Sequence, residues 1–167
     1  MRLDTKRLTV LSALIAVAMI LSYVESLVPA FVAIPGVKVG LSNIATVFTL
    51  YLLGAPAAIC VSLVRVLLSS LLFGNFASLL YSIGGAVLAL ASMILMKKVK
   101  IFSEIGVSTV GAIMHNAGQV AVACIRMENA AISLYIVPLI ISGTISGSVI
   151  GLTSGILCKK LDGKLKL

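Results

Sequence analysis

The chain has 167 residues, 60% of them hydrophobic and only 11% charged, with no Trp and a mean hydropathy of +1.22. A soluble domain of this length needs far more charge to cover its surface, so the composition specifies an integral membrane protein. The net charge of +8 does not point to nucleic acid, because the basic residues gather in clusters that flank apolar runs.

The first apolar run, about 8–28, follows Arg2, Lys6 and Arg7 and stops near Pro29. It exceeds a signal-peptide core and has no small-x-small cleavage pattern before Glu25, so a retained span is expected. A loop, "AIPGVK", carries Pro35 and Gly36 and leads to a second span of about 39–54, which stops at "GAP". The third, about 57–73, stops at "GN", and the fourth, about 76–96, ends at Lys97, Lys98 and Lys100. The fifth, about 105–125, ends at "RMEN"; the sixth, about 130–158, bends or restarts at Pro138 and is followed by Lys159, Lys160, Lys164 and Lys166. The runs lack the alternation of a membrane barrel, and helices are the remaining way to satisfy a backbone in lipid. The expected fold is all-α, a polytopic bundle of six transmembrane helices forming one domain over 1–167.

Six spans place both termini and the 97–104 loop on one side. Ten of the thirteen basic residues lie there; Lys38, Arg65 and Arg126 do not. The positive-inside rule makes that side cytoplasmic, with the clusters toward anionic lipid headgroups. Spans two and three are short, so they thin the bilayer or pack away from lipid. With no extramembrane domain, the chemistry belongs in the bilayer or at its surface.

Arg65 falls near the middle of span three. A central Arg costs about 2.5–3.5 kcal/mol on insertion scales, so it should meet a partner or a polar cavity. Three readings are open: a structural ion pair with Glu25, the only acidic residue in an apolar run; an anion-binding or pocket role; or snorkelling. Asn43, His115, Asn116 and Gln119 add amides and an imidazole. On a helix His115 and Gln119 share a face, while Asn116 points about 100° away, toward a neighbouring helix. That geometry suits one wall of a pocket, and interhelical hydrogen bonds alone would also account for it. Proton transfer by His115 is weaker, since no second titratable group lies nearby in sequence. Cys60, Cys124 and Cys158 have no metal or redox spacing and read as small hydrophobes, so no metal site is expected. Gly143, Gly147, Gly151 and Gly155, each four apart, form a stripe for close helix packing, and Ser12 with Ala16 gives a weaker small-residue pair.

The stretches "IPGVKVGLSNI" (34–44), "LVRVLLSSLLFGNFASLLYSIGGAVLAL" (63–90) and "GAIMHNAGQVAVA" (111–123), in this order, resemble the bacterial Gx transporter family, whose members are often labelled heptaprenyl diphosphate synthase component I. That family is similar to the S components of energy-coupling factor transporters, six-helix vitamin-binding membrane proteins. The resemblance implies a bacterial cell-membrane subunit with a small-molecule site near the outer face and a cytoplasmic side that docks on an energy-coupling module. The docking surface typically uses an Ala-x-x-x-Ala pattern in helix one, for which Ser12 and Ala16 are the nearest match.

The synthase label meets a chemical obstacle. Prenyl diphosphate synthases hold Mg²⁺ and diphosphate with aspartate clusters, whereas Asp4 and Asp162 are the only aspartates and lie at opposite ends of the chain. An accessory role is what remains under that label. The resemblance also implies a place beside flavinylated and quinone-linked electron-transfer proteins. "SGTIS" (142–146) is only faintly similar to a flavin-attachment sequence and is better explained by the glycine stripe. No intrinsic cofactor is expected; electron transfer here would need a bound quinone or a partner's flavin.

The sequence therefore reads as an S-component-like, non-enzymatic transport protein. It would bind a vitamin-, flavin- or isoprenoid-like substrate within the bundle through Glu25, Lys38, Asn43, Arg65, His115, Asn116 and Gln119. Its partners would be lipid, the substrate, and an energy-coupling module or membrane flavoprotein. An accessory role in quinone or prenyl diphosphate metabolism, or in extracellular electron transfer, is the alternative.

Overall fold

Gly54 with Pro56, Gly74 and Asn75 mark helix boundaries between apolar runs, while Lys100, Ser103 and Glu128 cap others. The computed structural model describes residues 5–27 and 40–161. The helices are α1 (Thr5–Leu27), α2 (Asn43–Leu52), α3 (Ala55–Phe73), α4 (Phe76–Val99), α5 (Glu104–Met127) and α6 (Ile136–Leu161), with a 3-10 turn at Ala130–Tyr135. Thr5–Leu27, Ala55–Phe73, Phe76–Val99 and Ala130–Leu161 are each long and apolar enough to cross a membrane. Helix α5 matches α4 in length, at 24 residues, but His115, Asn116 and Gln119 lower its hydropathy. The protein is an all-helical membrane bundle.

Local chemistry sets the boundaries. Gly54 adopts φ +90° ahead of α3, a conformation costly for residues with a Cβ, and Pro56 occupies the first turn, where no N–H is needed. Asn75 caps α4 in a reciprocal box: Asn75 Oδ1 accepts from Ser78 N at 2.8 Å, and Asn75 N donates to Ser78 Oγ at 3.0 Å. Lys97 and Lys98 fall in the last turn of α4, where cations complement the helix dipole. Lys97 Nζ also donates to Leu50 O of α2 at 2.6 Å and lies 4.8 Å from the Tyr51 ring centroid.

Two span expectations are corrected. Span two was expected over about 39–54, but α2 covers only Asn43–Leu52. Gly40, at φ +75°, starts a turn closed by Asn43 N donating to Gly40 O at 2.8 Å. Ten residues rise only about 15 Å, half a hydrocarbon core. Span six divides not at Pro138 but at Ile136, where the 3-10 turn gives way to α6. Pro138 thus sits in the first turn, where a missing N–H is harmless. The expected end of span one at 28, the "AIPGVK" loop, the start of span two at 39 and Lys38 lie outside the described residues.

Helix α5 is the centre of the bundle, packed along α4 on one side and α6 on the other. Lipid gives no hydrophobic drive to helix association, so close backbone approach must supply the contact. It does so twice. A Cβ on Gly118 would stand 2.8 Å from Gly84 C and 2.9 Å from Gly85 Cα, sealing α5 to α4. On the other side, a Cβ on Gly147 would be 2.7 Å from Thr109 Cα, and one on Gly151 would be 2.6 Å from Ile105 Cα. All four glycines of the α6 stripe are buried.

Helix α1 is peripheral, with Ala18 its only buried residue. Ser12 and Ala16 are exposed, so they form no packing seam among the described residues. The main apolar core, including Val47, Leu50, Leu90, Met93, Val107 and Ile150, joins α2 to the last turns of α4 and the first turns of α5. It fills the end of the bundle that carries the lysines.

Candidate functional site: a polar cavity around Arg65

Toward the other end of the bundle, and reaching the core at Ile150, lies a cavity of ≈ 120 Å³. The ends of α1 and α3 lie side by side there, with Tyr23 and Phe73 ring centroids 5.2 Å apart. The start of α2 is tied to the same place, because Gly40 N donates to Glu25 Oε1. Helix α2 is about half the length of α3, and its first residue, Asn43, lines the cavity.

The lining comes largely in pairs four residues apart, the spacing that puts two side chains on one helix face. Helix α1 supplies Ser22 and Ser26 with Glu25 beside them, α3 supplies Arg65 and Ser69, and α4 supplies Ser78 and Ser82. Helix α5 adds His115 and Gln119 with Asn116, and α6 adds Ser146 and Ile150. Six of the seven residues singled out in the sequence (Glu25, Asn43, Arg65, His115, Asn116 and Gln119) therefore face one space; Lys38 lies outside the described residues. The serines were missed as a group. Their four-residue spacing inside apolar runs was the available signal.

Arg65 organises the site. Its Nη1 donates to Ser42 Oγ at 2.6 Å and its Nη2 to Asn43 Oδ1 at 3.2 Å. Ser42 Oγ in turn donates to Glu25 Oε2 at 3.5 Å. The link between guanidinium and carboxylate thus runs through a hydroxyl, not through the ion-pair contact that was one expectation from the sequence. Bonds to two acceptors at the start of α2 also fix the side chain, against snorkelling. Among the described residues, the buried Arg65 Nε and Ser22 Oγ have no hydrogen-bond partner.

The α5 residues divide their directions as helix geometry requires. The imidazole of His115 lies across Gly85 of α4: Cε1, Nδ1 and Nε2 stand 2.8–2.9 Å from where a Gly85 Cβ would be. Asn116 turns the other way, and its Nδ2 donates to Leu139 O of α6 at 2.8 Å. Gly143 leaves room for that amide, since a Cβ there would be 3.0 Å from Asn116 Nδ2. Asn116 is thus a helix brace as well as part of the cavity wall.

Among the described residues no group of three or more His, Cys, Asp or Glu side chains could hold a metal ion. Cys60, Cys124 and Cys158 lie half-buried on three different helices.

A family model described as heptaprenyl diphosphate synthase component I matches residues 14–157. The chain belongs to that family. The match to the heptaprenyl diphosphate synthase component I model takes in every cavity-lining residue named above, from Ser22 to Ile150. No curated protein and no solved structure matches the chain. By its description the family provides one component of a synthase.

Proposed function

We propose that this component I protein is a ligand-binding membrane subunit of the S-component type, which receives the polar group of a small organic molecule in the Arg65 cavity. One observation carries the reading: polar side chains from six helices, far apart in sequence, converge on one space inside an otherwise apolar bundle. Structural polar contacts would be expected to close on one another and leave no room. Here they surround space comparable to an apolar cavity of about 150 Å³ that admits benzene. A single ring or head group fits that size.

The synthase description favours a second reading, an accessory that holds or hands on an isoprenoid intermediate beside a catalytic partner. Chemistry on the diphosphate itself is not assigned to this chain, because Glu25 is the only carboxylate among the described cavity residues and Mg²⁺–diphosphate sites want several. Both readings place a ligand in the same cavity.

The test is mass spectrometry of small molecules that copurify with the gently solubilised full chain, compared with Gln119→Leu. A molecule retained by the wild type and depleted in the folded variant is expected. Nothing retained by either protein would count against a ligand site.

A further inference from the structure

The charges around the cavity narrow the ligand's chemistry. Among the described lining residues only Arg65 carries a positive charge and only Glu25 a negative one. Their situations differ. Glu25 accepts from the Gly40 N–H and from Ser42, and through these bonds it ties α1 to the turn before α2. Arg65 has neutral direct acceptors, Ser42 and Asn43, for two of its five N–H groups. Its Nε is without a partner among the described residues, and each terminal nitrogen keeps a second N–H. A cation held by neutral acceptors in a low-dielectric bundle gains strongly from an anion brought into contact.

Further features add to this preference. Helix α2 starts at the cavity with Asn43, which places the positive end of its dipole there. The Ser22 hydroxyl, partnerless among the described residues, can donate to an oxygen once the site is filled and the side chain turns. A cationic ligand finds the opposite conditions, since the Glu25 oxygens are already engaged and Arg65 repels it.

We infer that the ligand's buried polar group is an oxyanion of carboxylate or phosphate type, received by Arg65 and the surrounding hydroxyls. This rests on the cavity being a ligand site. Glu25 then positions the guanidinium through Ser42 and does not itself meet the ligand.

The experiment uses the full chain in phosphatidylcholine nanodiscs and measures thermal protection by inorganic phosphate, diphosphate and acetate. Glycerol serves as the uncharged probe and sodium chloride as the ionic-strength control. Protection by at least one oxyanion and not by glycerol or chloride is expected. In Arg65→Gln that protection should need about tenfold or more higher anion concentration, with Arg65→Lys in between. If only phosphatidylglycerol nanodiscs, without added anion, protect the protein in an Arg65-dependent way, the oxyanion comes from a lipid headgroup. Should Arg65→Gln fail to fold, the ranking of probes on the wild type decides alone. Equal protection by glycerol, or an Arg65→Gln protein that binds oxyanions as the wild type does, overturns the inference. A copurifying ligand without an anionic group would overturn it too while leaving the ligand site standing; no copurifying molecule and no protection by any probe would remove both.

Discussion

His115 lines the cavity with its ring packed where a Gly85 side chain would stand. The ring lies flat against α4, so the methyl group of Gly85→Ala would push it into the cavity. Ligand retention should fall while the bundle holds, since a flexible side chain yields more easily than backbone. At His115 itself, Asn keeps a donor and an acceptor whereas Leu keeps neither. His115→Asn is therefore expected to retain ligand better than His115→Leu, which should lose about 0.5–1.5 kcal/mol, or up to roughly tenfold in affinity, if one hydrogen bond to a neutral group is removed. Titrating ligand into both variants between about pH 5.5 and about pH 8 checks this. Equal and complete loss of cellular activity with binding intact would assign proton transfer to the imidazole instead.

Among the helices, α5 lies close against both neighbours through glycines, and the α6 stripe is tight at Gly147 and Gly151 but looser at Gly155. A Cβ on Gly151 would meet Ile105 Cα at 2.6 Å, whereas one on Gly155 would meet Glu104 Cβ at an ordinary 3.7 Å. Gly151→Ala is therefore expected to cost about 1–3 kcal/mol, the usual range for overpacking, and Gly155→Ala close to nothing. Thermal unfolding in detergent should separate the two, and equal stabilities would mean that α5 and α6 are not in backbone contact. The stripe was legible in the sequence because four glycines at a spacing of four have few other uses in an apolar run. So was the grouping of His115 with Gln119. The length of α2 was not legible: "VGLSNI" is apolar enough to read as span, and only tertiary contacts reveal that Gly40 and Ser42 serve Glu25 and Arg65. Lys97 was read only as part of a basic cluster. Its bond to Leu50 O is a long-range contact that no local pattern encodes; the serine spacing was visible, but not that serines of α1, α3, α4 and α6 meet Ser42 around one space.

For the molecule as a whole, the direction of each helix follows from contacts at its ends. The ends of α1 and α3 meet at Tyr23 and Phe73, and the start of α2 joins them through Gly40 and Glu25. At the opposite end Lys97 reaches Leu50 near the end of α2, and Glu104 lies beside Gly155. Helix α2 therefore travels from the cavity end to the lysine end despite its ten residues, so it reverses the chain as a full span would. With α2 counted, six traverses bring the start of α1 and the end of α6 to the end that holds Lys97, Lys98, Lys159 and Lys160, while Arg126 marks the cavity end. On the positive-inside rule we propose that the lysine end is cytoplasmic and that the cavity opens to the outer side. Reporter fusions at the two chain ends should both register as cytoplasmic, and a cysteine introduced at Met127 should react with an impermeant thiol reagent in intact cells. Opposite signals from the two ends would mean that α2 does not reverse the chain in the membrane. Two cytoplasmic ends with an unreactive, demonstrably folded Met127→Cys protein would shift the cavity away from the outer surface.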